Sequence, residues 1–139
     1  MGYASERAAI EGRWAALWVT GSPVEPRTPT GYEGVTFTPP TAAAWCRLTI
    51  RDGEARQVSE GAPGSNVHRH AGAIFVEIFC PGGKGTQALR LLADAAADVF
   101  RNARFGGVLC RVPSMSAIRE EAPWVSVSMS IPFQRDELF

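Results

Sequence analysis

The sequence predicts a domain of the α+β class, because segments with helical spacing and segments with strand spacing both occur without alternating one for one. Two segments repeat apolar residues every three or four positions, as helices packed on one side do. Several others repeat them at every second position, which is typical of half-buried strands. The chain has 139 residues, with 14 basic and 14 acidic side chains. This length fits one domain over residues 1–139, and the balanced charge does not indicate a nucleic-acid or membrane partner.

A first helix is expected over residues 3–19, with an apolar stripe formed by Ile10, Trp14, Leu17 and Trp18. Gly12 costs this helix about 1 kcal/mol relative to alanine, so the packing of the tryptophans must hold it. Residues 21–34 contain three prolines and are expected to form a loop.

Two strands are expected next. A short one lies around Val35–Phe37 and ends at a pair of prolines, and a longer one covers Trp45–Arg51. Cys46, Leu48 and Ile50 form the inward face of the longer strand. Its opposite face is therefore expected to be exposed, and it carries Trp45, Arg47 and Thr49.

Residues 52–72 are expected to form a projecting β-hairpin arm. Asp52–Gly53 is a turn signal, and the segment Gly61–Asn66 has no large apolar residue to bury. Strand-like pieces at 55–59 and 67–71 flank that segment. An irregular stretch of this length inside a compact domain is usually functional or disordered, and we favour a contact arm.

The second half of the chain completes the sheet and adds a helix. Ala73–Cys80 is apolar on both faces, which predicts a central strand. The second helix is expected from Thr86, its N-cap, to Asn102, with the apolar stripe Leu89, Leu92, Ala93, Ala96 and Phe100. A strand at Val108–Val112 and a loop with Arg119–Glu121 precede the last strand, in which Val125, Val127, Met129, Ile131 and Phe133 alternate with Ser126, Ser128 and Ser130.

No group of residues in the sequence is typical of an enzyme. Cys46, Cys80 and Cys110 fall on apolar strand faces and are expected to be buried free thiols, since their number is odd and their spacing does not suit a metal. No serine, cysteine or histidine pattern indicates a nucleophile with its base. We therefore expect no catalytic residue, no cofactor and no metal.

Two motifs leave other interpretations open. Gly82–Thr86 lies between a strand and a helix, as a phosphate-binding loop does, but Lys84 is followed by glycine instead of Ser or Thr. A simple turn is favoured there over an anion or nucleotide site. His68 and His70 point to the same side of an extended chain, as a metal pair would. No carboxylate or cysteine cluster lies near them in sequence, so a partner-facing arm is favoured.

Five segments of glycine, proline and aromatic positions keep a distinctive order along the chain: Tyr32–Pro40, Trp45–Ile50, Gly72–Gly85, Ala88–Phe100 and Ile131–Glu137. In this order they resemble the tail terminator and tail-completion proteins of long-tailed bacteriophages, or of phage-derived particles. The resemblance extends over nearly the whole chain and concerns structural positions.

The resemblance implies a mostly antiparallel sheet with helices on one face, in subunits that assemble into a homo-hexameric ring. Such a ring caps the head-proximal end of the tail tube, stops its polymerisation and offers a surface for head docking. The implied partners are other copies of the chain, the major tail tube protein and a head-tail connector or stopper protein. DNA is expected only as cargo passing through the lumen. The implied location is the virion tail, after assembly in the bacterial host cytoplasm.

The candidate contact residues lie on the arm, near the chain's end and at one aromatic position expected to be exposed. They are Trp45, Arg56, Gln57, His68, Arg69, His70, Arg135, Asp136 and Glu137. A head-tail connector or neck stopper is an alternative function, since an arm and a ring would serve that role as well. A small anion- or nucleotide-binding domain is the second alternative.

Overall fold

A computed structural model of the chain describes residues 2–21 and 28–139. The helices among them are α1 (Tyr3–Gly21) and α2 (Gln87–Phe100). The strands are β1 (Thr30–Tyr32), β2 (Trp45–Gln57), β3 (Val67–Pro81), β4 (Arg104–Phe105), β5 (Val108–Cys110), β6 (Ser114–Met115), β7 (Arg119–Glu121) and β8 (Trp124–Leu138). Residues 22–27 of the loop predicted over residues 21–34 lie outside the described residues, and Thr30–Tyr32 of that predicted loop form β1 instead.

Within the described part of the chain, eight strands form one sheet in the order β1-β2-β3-β8-β5-β4, and β6 and β7 pair with other stretches of β8. β1 runs parallel to β2, and all the other pairs are antiparallel. The predicted α+β class and mostly antiparallel sheet are therefore confirmed. β3 lies between β2 and β8, which confirms the central position predicted for residues 73–80.

Both helices cover the same face of the sheet and enclose the core with it. Trp14 stacks on Trp18 with 4.4 Å between ring centroids, and Phe100 of α2 lies 6.0 Å from Trp14. Arg13 of α1 donates from Nε to the carbonyl oxygen of Val99 at 2.7 Å, which joins the two helices. Each large apolar side chain buried here contributes about 1.5–3 kcal/mol to stability. The predicted stripe of α2 and the predicted inward faces of β3 and β8 are buried.

Two predicted elements are wrong because backbone hydrogen bonds override the side-chain pattern. Residues 35–37 form no strand, since Gly34 has a φ of +74° and the Val35 N–H donates to the Tyr32 carbonyl oxygen in a turn directly after β1. The predicted loop at 119–121 is instead the strand β7, whose residues pair with β8 at Ser126, Val125 and Trp124.

Three side-chain predictions also differ from the structure. Leu17 is 37% exposed, because the buried stripe of α1 continues at every fourth residue, through Trp14 to Trp18. Val112 is 66% exposed, since β5 ends at Cys110. Thr86 occupies the N-cap position of α2, but its side chain makes no capping hydrogen bond. Cys46, Cys80 and Cys110 are buried free thiols, as predicted.

Candidate interaction surface

The predicted hairpin arm is built from three strands. β2 and β3 pair out to Gln57 and His68, and β8 pairs with the other side of β3 as far as Leu138 opposite Val67. Beyond Gln57, the Val58 N–H donates to the Val67 carbonyl oxygen at 2.8 Å. The end of β8 therefore widens and stiffens the arm, a feature that the sequence pattern of the hairpin alone did not predict.

A glycine lets the arm leave the body where the pairing of β2 with β3 is irregular, between Asp52 and Ala55. A Cβ atom on Gly72 would lie 2.7 Å from the Arg51 carbonyl oxygen and 2.8 Å from Cζ of Phe133. No ordinary side chain tolerates such distances to a backbone atom. Gly72 therefore allows β2 and the Phe133 ring to close tightly over β3 at the base of the arm.

The outer face of the arm, which is the sheet face turned away from the helices, carries one row of predicted contact residues. Arg56, Arg69 and Asp136 lie opposite one another on β2, β3 and β8. Arg69 donates from Nε to Oδ1 of Asp136 at 2.9 Å and from Nη2 to Oδ2 at 3.1 Å. These hydrogen bonds lower the pKa of Asp136. Arg56 is exposed and forms no ion pair with any described residue.

The helix-facing side of the arm carries the other row, Gln57, His68 and Glu137. His70 follows on the same side, and its Nε2 lies 2.5 Å from Oε1 of Glu137. The Tyr3 hydroxyl of α1 is 3.4 Å from Nδ1 of His70. Side chains on this face therefore bind the start of α1 to the arm.

Arg135 lies at the centre of that attachment and is 1% exposed. Its Nε donates to Oε1 of Glu6 at 2.6 Å, and its Nη1 donates to Oε1 of Glu137 at 3.0 Å. The Tyr3 ring covers the guanidinium, 4.8 Å from Cζ to the ring centroid. Arg135 is therefore buried inside the chain, and its prediction as an accessible contact residue is wrong in this respect.

Glu6 is the acidic partner in this cluster and is 1% exposed. Burial, together with a hydrogen bond to the side chain of Asp52, raises the pKa of Glu6 from 4.5 to about 7, although Arg135 acts in the opposite direction. The pKa of Glu137 is lowered, chiefly by its hydrogen bond to Arg135. The cluster thus places two acids with oppositely shifted pKa values around one buried guanidinium.

Trp45 lies on the outer face of the sheet as predicted, but it is only 6% exposed, so the expectation of an exposed aromatic is wrong. Its ring stacks on Phe79 at 4.1 Å, with Phe37 at 5.6 Å and Trp124 at 6.2 Å between centroids. The segment after β1 folds Phe37 over it. The indole Nε1 of Trp45 has no hydrogen-bond partner among the described residues.

The structure therefore brings together all the predicted contact residues except Trp45, which lies near the opposite end of β2. It also adds a group that sequence reasoning missed. These residues, Val58, Leu138 and Phe139, form an apolar tip at the end of the paired strands, beside the turn of residues 59–66, and are 40%, 62% and 59% exposed. The sequence does contain a signal for this group, because apolar residues next to a charged row are unusual on an exposed arm, which normally carries polar side chains.

Three further features of the described residues concern metal binding, membrane spanning and the turn before α2. The described residues include no group of three or more His, Cys, Asp or Glu side chains able to hold a metal ion. None of the described helices has the length and apolar character needed to cross a membrane. The turn before α2 has φ values of +85° at Gly83 and +77° at Gly85, with Lys84 exposed between them.

Comparison with known proteins assigns the chain to a family. A family model described as phage tail terminator protein matches residues 7–133. The chain belongs to the phage tail terminator family. It is accordingly a phage tail structural protein, and the resemblance found in the sequence is confirmed. The match begins within α1 and includes the core strands and the base of the arm.

Two solved structures resemble this tail terminator in fold. One, of a protein that carries no functional name, has a TM-score of 0.74 and 22% identity, and covers 100% of this chain and 98% of that chain. The other is a chain from the virion of a native gene transfer agent particle, with a TM-score of 0.56 and 11% identity, covering 98% of this chain and 100% of that one. At these identities the likeness shows the fold alone. No curated protein matches the chain.

Proposed function

We propose that the protein forms a homo-hexameric ring that caps the head-proximal end of the tail tube. The observation that carries this proposal is the family match over residues 7–133. The ring stops polymerisation of the major tail tube protein on one side. On the other side it offers a docking surface to the head-tail connector or stopper protein. DNA passes through the lumen only as cargo, and the protein has no enzymatic role.

Physical features of the chain support this role. A cap must bind the last layer of tube subunits on one face while refusing a further layer on the other, which requires two different surfaces. The chain is formally neutral, with 14 basic and 14 acidic residues, so copies can approach without net repulsion. A ring also needs head-to-tail contacts that close, and a stiff arm at one end of a single domain provides one half of such a contact. Similarity to a chain of a gene transfer agent virion supports a place inside a phage-type particle. We propose that this particle is assembled in the host cytoplasm.

Electron microscopy of particles from a strain that lacks the gene tests the proposal. Headless tails of uneven and excessive length are expected, with normal particles restored by a plasmid copy. Tails of normal length beside separate heads would favour the alternative function of a head-tail connector or neck stopper. Normal infectious particles would contradict both functions.

A small anion-binding function is a second candidate, because the Gly82–Thr86 turn precedes α2 and exposes Lys84. A ligand that binds only the folded state raises the melting temperature. We expect millimolar ATP or inorganic phosphate to leave the melting temperature unchanged relative to an equal concentration of chloride. A reproducible rise that is lost in Lys84→Ala would support the anion site instead.

A further inference from the structure

The tip of the arm presents an apolar surface that the chain itself does not cover. Val58, Val67 and Leu138 form one cross-strand row on the outer face, next to the row that contains Arg56. Phe139 lies on the other side, 5.3 Å from the His68 ring between centroids. Val58, Leu138 and Phe139 are 40–62% exposed. Full burial of a large apolar side chain is worth about 1.5–3 kcal/mol, of which roughly half remains to be gained at this exposure, and this favours docking of the tip into a partner.

The opposite end of the molecule carries an open groove of about 530 Å³. Gly82, Gly83, Pro123 and Trp124 line it, and Glu120 stands at its rim. The Gly82 N–H donates to the Pro123 carbonyl oxygen at 2.7 Å, which fixes the two walls together. Glu120 and its neighbour Glu121 are exposed, and the structure shows no ion pair for either within the described residues.

These two surfaces cannot meet within one chain. β3 and β8 are each 15 residues long and run side by side, from Val67 and Leu138 at the arm tip to Pro81 and Trp124 at the groove. At about 3.3 Å per residue the two surfaces are roughly 50 Å apart. A contact between tip and groove must therefore join two copies, and it joins unlike surfaces, which is the type of contact that closes a ring.

We infer that the apolar arm tip of one copy docks into the groove beside Trp124 of the next copy, with Arg56 facing Glu120. The charges on the two surfaces are complementary, because Arg56 lies unpaired beside the tip and Glu120 lies unpaired beside the groove. The nearby Arg119 does not oppose this arrangement, since it lines a separate hollow floored by Ser126 and Ser128 on the outer face. The inference rests on the proposed function, for which it supplies the subunit contact.

Cross-linking between two variants of the full chain, each with one added cysteine, tests this contact directly. Leu138→Cys places a thiol at the tip and Glu120→Cys places one at the groove, while the native cysteines are buried and 0–5% exposed. A short bis-maleimide is expected to give a dimer from the mixture and none from either variant alone. Arg104→Cys, exposed on β4, replaces Glu120→Cys as the matched control. No dimer from the mixture in solution and in purified tails, or equal dimer with the control, overturns the inference.

A charge exchange provides the second test. Arg56→Glu and Glu120→Arg are each expected to raise the midpoint concentration of self-association by roughly tenfold, measured by analytical ultracentrifugation. The double variant is expected to return to within about threefold of the original chain, because the opposite charges again face each other. A double variant no better than the single ones overturns the inference. Gene deletion gives an independent result. Elongated tails in the deletion strain, together with no cross-link between the variants, would retain the terminator function and reject this contact. A cross-link together with tails of normal length would reject only the terminator function.

Discussion

The buried ion pair between Glu6 and Arg135 shows what a single residue contributes to this fold. Residue spacing alone indicates that both lie inward: Glu6 precedes Ile10, Trp14 and Trp18 at four-residue intervals, and Arg135 continues the alternation that begins at Val125. Charged side chains are normally exposed, but both of these are buried. Burial of a charge requires a partner, and each supplies one to the other at 2.6 Å. Periodicity is therefore a better guide to the positions of these two residues than their residue type is.

The raised pKa of Glu6 predicts that stability decreases as the pH rises. The pKa is about 7 in the folded state against 4.5 unfolded, so the folded state keeps a proton that the unfolded state releases. The contribution is complete below pH 4.5 and disappears as the pH rises through about 7, with a total on the order of 3 kcal/mol. Asp52→Asn removes an acid that raises this pKa, so a smaller decrease is expected. Urea unfolding between about pH 5 and 8 measures the decrease in both proteins. His68, His70 and Glu137 are the same in both, so the comparison isolates the effect of Asp52. An equal or larger decrease in Asp52→Asn would contradict the argument.

Gly72 gives a second prediction at this scale. Gly72→Ala forces a Cβ atom against the Arg51 carbonyl oxygen and the Phe133 ring, so a loss of about 1–3 kcal/mol is expected. Gly12→Ala is the matched control, because a Cβ there meets nothing within 4 Å and lies in α1. It should add about 0.5–1 kcal/mol. Chemical unfolding of both variants decides the matter, and equal effects would show that the close approach at Gly72 is unimportant.

Among the elements, α1 is fixed to the sheet in two different ways. Near its end, Trp14 and Trp18 are buried and donate to Thr30 Oγ1 and the Thr28 carbonyl oxygen at 3.0 and 3.2 Å. Near its start, Glu6 and Tyr3 hold the base of the arm through Arg135 and His70. The helix therefore links the core to the arm, and a change at its polar end should affect both elements.

Removing one member of the ion pair should therefore destabilise the attachment of α1. Arg135→Met removes the guanidinium that lowers the pKa of Glu6, so Glu6 keeps its proton to a higher pH and loses a hydrogen-bond partner inside the chain. A loss of about 1–3 kcal/mol is expected. The double variant Glu6→Met, Arg135→Met removes both charges and should recover most of that loss. Urea unfolding gives the energies, and hydrogen exchange of the α1 amides shows whether the helix opens first. A double variant as unstable as Arg135→Met would indicate that the pair is not the cause.

The sequence predicted those elements whose apolar pattern matches their packing. β3, β8 and α2 were recognised because one face of each is buried over the segment that carries the apolar pattern. β7 was missed because its three charged residues pair with β8 through backbone groups and leave no side-chain pattern. The cover over Trp45 was missed because Phe37 reaches it from a segment without regular structure. The arm was predicted from its turn residues, but its third strand depends on pairing between residues about 70 positions apart in sequence, such as Val67 and Leu138.

At the scale of the whole molecule, the two long strands separate surfaces of different character. The apolar tip with Arg56 lies at one end, the groove with Glu120 lies at the other, and the formal net charge is zero. An elongated subunit with unlike ends suits repeated head-to-tail contacts better than a two-fold dimer, which pairs identical surfaces. Association of this kind is linked to folding, because only folded subunits present both ends.

This linkage predicts that the melting temperature depends on protein concentration. Each tenfold increase in concentration should raise it by about 2–6 °C, because association stabilises only the folded state. Arg56→Glu weakens the contact between tip and groove by roughly tenfold, so its melting temperature should match that of the original chain at about one tenth of the concentration. Asp94→Arg reverses an exposed charge on α2 and should keep the original dependence. Calorimetry over two decades of concentration measures all three. Equal melting temperatures of Arg56→Glu and the original chain at every concentration would mean that the copies join through surfaces other than the arm.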